Sequence, residues 1–203
     1  MTLALGVVGV TYGNVPIEEA ARLAAEDGFA HIDAMYDVPD ALAIPVGDRI
    51  SLAPRAGCSS GPAPKWTWDR TVEAYRNAPG ARLEPYRDSC VGSNEAVLAM
   101  LEAVPGLRLL VDTGHVASWG GDPVELLPYA DHVQLRQGRD GVVQARPTDG
   151  TVDFAAVLAT LTALGYGGLL SVEYFDLPWP GFELDDPRGH AVELAEYVRP
   201  LLP

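Results

Sequence analysis

The 203-residue chain contains 28 acidic residues against 14 lysines and arginines, a formal net charge of −14, and 48% of its residues are hydrophobic. This size and apolar content suffice for one sizeable core, so residues 1–203 are expected to form a single domain. The strong negative charge would repel phosphate backbones and anionic lipid surfaces, which argues against nucleic-acid and membrane partners.

Targeting and redox signals are weak in this sequence. No apolar run approaches the roughly 20 residues that span a bilayer, and no basic segment precedes the N-terminal Leu/Val stretch as it would in a signal peptide. The two cysteines, Cys58 and Cys90, have neither metal-type spacing nor the pattern of a disulfide framework. We therefore expect a cytoplasmic protein with reduced thiols.

Short β-prone segments alternate with segments of helical periodicity along almost the whole chain. The pattern predicts strands at 3–10, 31–35, 49–53, 81–83, 107–112, 131–136 and 168–173. It predicts helices at 17–27, 69–77, 93–103, 122–129, 153–164 and 187–198. This alternation indicates a parallel sheet covered by helices, either an open doubly wound sheet or a closed barrel.

Four polar side chains stand at the ends of apolar strands: Glu84, Asp112, Gln134 and Glu173. Many strand ends contributing to one rim is typical of a barrel, whereas an open sheet concentrates its site at one switch point. Only seven strands are evident, and an eight-unit barrel typically needs about 250 residues. We therefore predict a shortened α/β barrel of the TIM type, with seven to eight parallel strands and one βα unit reduced or missing in region 53–81.

A barrel that lacks one unit can leave exposed strand edges. Such edges invite pairing with another chain. We therefore expect a homodimer formed through region 53–81.

Five landmarks occur in order between Arg82 and Phe175. They are Leu83-Glu84-Pro85, Asp112-Thr113-Gly114-His115, His132-Val133-Gln134-Leu135, the segment Pro147 to Phe154, and the segment Gly165 to Tyr174. In order and spacing they resemble the C-terminal half of the sugar phosphate isomerase/epimerase superfamily, the xylose isomerase-like TIM barrels. The resemblance covers just under half of the chain, and the N-terminal part matches only in its βα alternation.

The resemblance implies a site for one divalent ion, often manganese, held by a glutamate, an aspartate, a histidine and a second glutamate. Residue by residue, these positions fall on Glu84, Asp112, Gln134 and Glu173. Gln134 departs from the histidine of the pattern, although the hydroxypyruvate isomerase branch, the nearest in motif, also has glutamine there. An amide oxygen favours manganese or magnesium over zinc, and Mg²⁺, Co²⁺ and Zn²⁺ remain alternatives to Mn²⁺.

The implied activity is isomerisation or epimerisation of a small sugar, sugar acid or α-keto compound. A divalent ion stabilises the enediolate that forms when the α-proton leaves. Glu84 and Glu173 are the expected catalytic proton carriers, and His115, Arg139 and Arg146 are the expected substrate-binding residues.

Other interpretations remain open. A dehydratase could use the same enediolate, and a degenerate relative could bind a small molecule without turnover. Asp112 could cap the turn after its strand, Glu84 could pair with Arg87, and Gln134 could simply hydrogen-bond a neighbour. His31 and His132 are expected to be hydrogen-bonded core residues.

Overall fold

The fold is built on one sheet of parallel strands. The computed structural model describes residues 3–34, 42–49, 67–176, 182 and 184–202. Its strands are β1 (Leu5–Val8), β2 (Ile32–Ala34), β3 (Val46–Arg49), β4 (Arg82–Leu83), β5 (Arg108–Asp112), β6 (Ala130–Leu135) and β7 (Leu169–Val172). They pair in the order β3-β2-β1-β7-β6-β5-β4, and every pairing is parallel.

Helices connect most successive strands, as the alternating sequence predicts, although none is described between β2 and β3. They are α1 (Ile17–Glu26), α2 (Trp68–Arg76), α3 (Asn94–Ala103), α4 (Thr113–Ser118), α5 (Phe154–Ala163) and α6 (Pro187–Val198). Short 3-10 helices lie at Gly9–Tyr12, Pro123–Glu125, Leu127–Tyr129 and Arg199–Leu201. None of the helices in the described part of the chain has the length and apolar content needed to cross a membrane.

The sheet curls far enough to bring distant strands into contact. β1 and β7 separate β2 from β6, yet His132 Nε2 on β6 lies 2.9 Å from Asp33 Oδ2 on β2. Within the described residues no strand joins the outer edges of β3 and β4. The predicted shortened barrel is confirmed. Residues 53–66 of the region predicted to dimerise lie outside the described ranges, and the homodimer stays a prediction.

A buried polar layer lies beneath the rim of the barrel. His31 Nε2 is 3.1 Å from Ser171 Oγ, and Asp33 and His132 are fully buried beside it. A Cβ atom at Gly6 would lie 2.2 Å from the His31 ring, so glycine is needed there for the imidazole to fit. His31 and His132 are core histidines, as predicted.

Most elements fall within one or two residues of their predicted bounds, with three exceptions. The third strand occupies Val46–Arg49 rather than 49–53, and residues 50–53 lie outside the described ranges. The predicted helix at 122–129 is two separate 3-10 helices, because Pro128 lacks the backbone N–H that a continuous α-helix would use at that position. Helix α4, immediately after β5, was not predicted.

Helix termini bear out the capping pattern of the sequence. The Ser93 hydroxyl accepts a hydrogen bond from the Ala96 amide at 3.2 Å and begins α3. Gly165 follows the C-terminal end of α5 and has a φ of +63°, in the left-handed region that favours glycine. These boundaries align the strands so that Asp112 lies opposite Gln134 and Leu135 lies opposite Val172. The carboxyl ends of β5, β6 and β7 consequently meet at one edge.

Candidate active site

Three of the predicted polar residues converge where β4 and β5 end. Glu84, Asp112 and His115 each offer a ligand atom, and these three atoms lie within 4.8 Å of one another. His115 Nε2 is 3.7 Å from Glu84 Oε1, and the Tyr86 hydroxyl donates to Glu84 Oε2 at 3.1 Å. Carboxylate oxygens and an imidazole nitrogen at this separation could hold a metal ion.

Asp112 is both the end of β5 and the N-cap of α4. Its Oδ1 accepts hydrogen bonds from the amides of Gly114 at 2.8 Å and His115 at 3.0 Å. The capping interpretation is therefore confirmed. Because α4 begins directly at the strand end, its first turn carries the His115 imidazole back toward the Glu84 carboxylate.

Arg136 is a central residue of the site that the sequence motifs did not indicate. Its guanidinium Nη2 contacts Asp112 Oδ2 and lies 3.1 Å from Glu173 Oε2, and the side chain is fully buried. The guanidinium also lies over the Phe175 ring, 4.9 Å from its centroid. Arg136 follows Gln134 by two residues, so the two-residue period of a strand places both side chains on one face. That period was the available signal.

Burial and neighbouring charges shift the pKa values of Asp112 and Glu173 in opposite directions. Burial raises the pKa of Glu173 well above its usual value, and the neighbouring Asp112 and Glu84 charges add to the rise. Burial also acts to raise the pKa of Asp112, but the Arg136 charge together with the hydrogen bonds from Glu173 and the His115 amide lowers it below its usual value. Asp112 is therefore the anion that balances Arg136, while Glu173 retains its proton more readily.

His115 is held as a neutral imidazole. Burial lowers its pKa to about 4, although the Asp112 charge works in the opposite direction. The ring meets Tyr86 edge-on with centroids 4.6 Å apart, and the Phe182 ring lies 6.2 Å away. A neutral imidazole can act as a metal ligand or as a hydrogen-bond partner for a substrate oxygen.

Gln134 lies on the same rim and presents an unused acceptor. Its Oε1 is buried and has no hydrogen-bond partner within the described residues. Buried amide oxygens are almost always bonded, so this atom is an acceptor that a bound ligand could use. Together with the cluster of Glu84, Asp112 and His115, it makes a donor set that fits a divalent cation.

The two loop arginines lie apart from this cluster. Arg139 is exposed, and its Nη1 donates to the Asp149 carbonyl at 2.8 Å. Arg146 forms an exposed ion pair with Asp185 at 3.2 Å. The structure does not bring either guanidinium to the carboxylates, so their role in substrate binding remains a prediction.

An aromatic wall borders the site and depends on Gln144. The Phe175 and Phe182 rings stack with centroids 5.5 Å apart and an interplanar angle of 10°. The buried Gln144 amide donates to the carbonyls of both residues, so one side chain ties Phe175 to Phe182.

We expect Gln144→Ala to lower the free energy of unfolding by about 1–3 kcal/mol, because it leaves two backbone carbonyls without their donor. Loss of the wall should also weaken ligand binding. Urea unfolding of this variant beside Thr148→Ala, an exposed change in the same loop, measures the effect. Equal stability of the two variants would contradict the assigned role.

We also expect the contribution of His115 to the stability of the protein to fall between about pH 6.5 and pH 4, opposite in sign to the contribution of Glu173. The unfolded chain takes up a proton on His115 near pH 6.5, whereas the folded chain resists uptake until about pH 4, so acid favours unfolding. The full effect of this histidine is at most about 3 kcal/mol. Urea unfolding at several pH values should give a shallower slope for His115→Gln, and an unchanged slope would refute the assignment.

The sequence of the chain matches a known protein family. A sequence profile described as "Xylose isomerase-like TIM barrel" matches residues 17–201. The chain belongs to the xylose isomerase-like TIM barrel family. Membership extends the resemblance through most of the N-terminal half, where the motifs alone gave only βα alternation.

A curated relative within reach of sequence comparison is an inosose dehydratase of Geobacillus kaustophilus. It is 32% identical to this xylose isomerase-like chain over 114 residues. The alignment covers 45% of this chain and 36% of that protein. The alignment therefore spans about a third of the length of the relative.

Solved structures share the fold at low identity. An L-ribulose 3-epimerase superposes with a TM-score of 0.69 at 16% identity, covering 97% of this chain and 94% of its own. A D-allulose 3-epimerase from Methylomonas sp. gives a TM-score of 0.69 at 17% identity, covering 99% and 98%. At such identities these structures show that the xylose isomerase-like fold is common to all three.

Proposed function

We propose that the protein is a sugar isomerase or epimerase that transfers a proton next to a carbonyl group through an enediolate. The convergence of Glu84, Asp112, His115 and Glu173 at the carboxyl ends of the strands carries this proposal. In barrels of this type, functional residues come from several strand ends and act at that face.

The residues present fit a divalent ion, and we assign Glu84, Asp112, Gln134 and Glu173 as its protein ligands. Three of these four side chains offer carboxylate oxygens and the fourth an amide oxygen, which favours Mn²⁺ over softer ions. His115 lies close enough to Glu84 to contribute a nitrogen or to contact substrate. When bound, such an ion polarises the substrate carbonyl and stabilises the charge of the enediolate.

The two glutamates suit the removal and return of a proton. Glu84 follows β4 and Glu173 follows β7, so the two carboxyl groups approach the site from strands that are not neighbours in the sheet. A substrate between them would present opposite faces of its α-carbon to the two groups. If one group removes the proton and the other returns it, the configuration of that carbon inverts.

Small ketoses are the substrate class that we favour. Two structural neighbours are described as 3-epimerases of L-ribulose and D-allulose, and this chain covers nearly their whole length. The Phe175 and Phe182 rings could wall one face of a sugar ring. His115, Arg139 and Arg146 are the proposed contacts to substrate oxygens.

A dehydratase is the second candidate. It is favoured by the 32% identity to the inosose dehydratase, which is higher than the identity to either epimerase. Elimination of water begins with the same proton removal, so the two reactions differ in whether a hydroxyl group leaves the enediolate.

A substrate panel distinguishes these functions. Chelator-treated protein, with and without added Mn²⁺, would be incubated with ketopentoses, ketohexoses and an inosose, and the products separated by chromatography. We expect Mn²⁺-dependent epimerisation of a ketose or dehydration of the inosose. Absence of product from every compound would favour the alternative of a non-catalytic binding protein.

A further inference from the structure

Arg136 takes up space that the proposed ion also requires. Its Nη2 atom contacts Asp112 Oδ2 and Glu173 Oε2, and both carboxyl groups belong to the proposed ligand set. A nitrogen within hydrogen-bond distance of two carboxylate oxygens lies where a cation bridging them would lie. An ion held by these two carboxyl groups would therefore compete with the guanidinium for the same oxygens.

The position of Arg136 is built into the surrounding structure. The Thr113 hydroxyl donates to the Arg136 carbonyl at 2.7 Å and accepts from the Arg136 amide at 2.9 Å, which fixes the backbone. Gly114 leaves room for the side chain, because a Cβ atom there would lie 2.9 Å from Arg136 Cγ and 2.3 Å from the Val143 carbonyl oxygen. The Phe175 ring completes the cradle.

The cluster has too few free carboxylate oxygens to contact both cations at once. Asp112 Oδ1 already accepts two backbone amides, so Oδ2 is the oxygen left for a ligand, and Arg136 contacts it. In the described part of the chain, Arg136 Nη1 and Gln134 Oε1 are both buried without a hydrogen-bond partner. The site is thus satisfied on the Asp112–Glu173 side and unsatisfied beside Gln134.

We infer that Arg136 is a resident cation that competes with the divalent ion for Asp112 and Glu173, so that ion binding requires the guanidinium to withdraw. The inference rests on the proposed function, since it concerns the ion of that site. Arg136 in this role regulates the affinity of the site and positions its two carboxyl groups. Because the guanidinium belongs to the same chain, it contacts the two carboxyl groups without the loss of translational freedom that an ion from solution undergoes.

The test compares the affinity of chelator-treated variants for Mn²⁺ by calorimetric titration, with circular dichroism as the check on folding. Arg136→Met keeps the length of the side chain without its charge and should bind Mn²⁺ at least tenfold more tightly than the parent chain. Arg136→Lys retains the charge and should stay weak. Arg108→Met removes an arginine at the opposite end of β5 and should leave the affinity unchanged.

A second neutral variant keeps the test decisive if Arg136→Met does not fold. Arg136→Gln keeps a hydrogen-bond donor for the two carboxyl groups and should also bind Mn²⁺ more tightly than the parent. Folded neutral variants whose affinity equals or falls below that of the parent would overturn the competition, while leaving the ion site in place. Absence of binding in the parent and in every variant would overturn the competition and the metal dependence of the proposed function together.

Discussion

Replacement of Asp112 by alanine is expected to lower the free energy of unfolding by about 3–5 kcal/mol, the largest stability effect that we predict for a single site. Asp112 is fully buried, and its charge balances the equally buried Arg136. Removing it leaves the guanidinium with Glu173, whose own pKa is raised by burial. The change also removes the N-cap of α4, because the amides of Gly114 and His115 lose their acceptor.

A matched variant separates this effect from the general loss of an ion pair. Asp131 pairs with Arg108 at 2.8 Å, but both side chains are more than 40% exposed. Asp131→Ala should therefore cost at most about 1 kcal/mol. Urea unfolding of the two variants side by side gives the comparison. An Asp112→Ala protein as stable as Asp131→Ala would show that the buried pair does not hold the rim together.

Replacement of Glu173 by glutamine is expected to reduce kcat by about 10²–10⁴-fold while the protein remains folded. Glutamine has the shape of a protonated glutamate, and burial already favours the neutral form of this side chain. The amide oxygen can still accept from Arg136 Nη2, so the structure should tolerate the change. What is lost is the ability to take up and release a proton.

Glu84→Gln should give a loss of similar size if both glutamates carry protons. Glu95→Gln, an exposed change in the first turn of α3, serves as the control and should leave kcat within twofold. The measurement is the steady-state rate on the substrate found in the panel. Full activity of Glu173→Gln would exclude Glu173 from proton transfer, and a change in KM alone would assign it to binding.

The fold could be predicted from sequence because its signals are local. The apolar strands, the cap at Ser93 and the glycine after α5 each depend on a few neighbouring residues. The third strand was placed too late, because Val46-Gly47-Asp48-Arg49 has little of the apolar pattern of a buried strand. Its pairing with β2 is a long-range contact that single-sequence patterns do not carry.

The candidate site was predicted in part for a related reason. Strand ends grouped Glu84 and Asp112 with Gln134 and Glu173, since parallel strands present their carboxyl ends at one edge. In the structure, Glu84 and Asp112 lie close to His115. The sequence pointed to Arg139 and Arg146, in the loop after β6, as the cationic side chains of the site, but both are exposed to solvent. Arg136 was not predicted because an arginine at a strand end is usually exposed, whereas here the two strands that pair with β6 place Asp112 and Glu173 on either side of it.

Solvent isotope exchange tests the central claim most directly. The protein would be incubated with Mn²⁺ and small ketoses in D₂O, and deuterium at the carbon next to the carbonyl group would be followed by NMR and mass spectrometry. We predict deuterium incorporation at one carbon of at least one ketose, at a rate reduced by Glu84→Gln and by Glu173→Gln. Turnover of a ketose without any deuterium incorporation, or incorporation that both variants leave unchanged, would contradict proton transfer by these two residues.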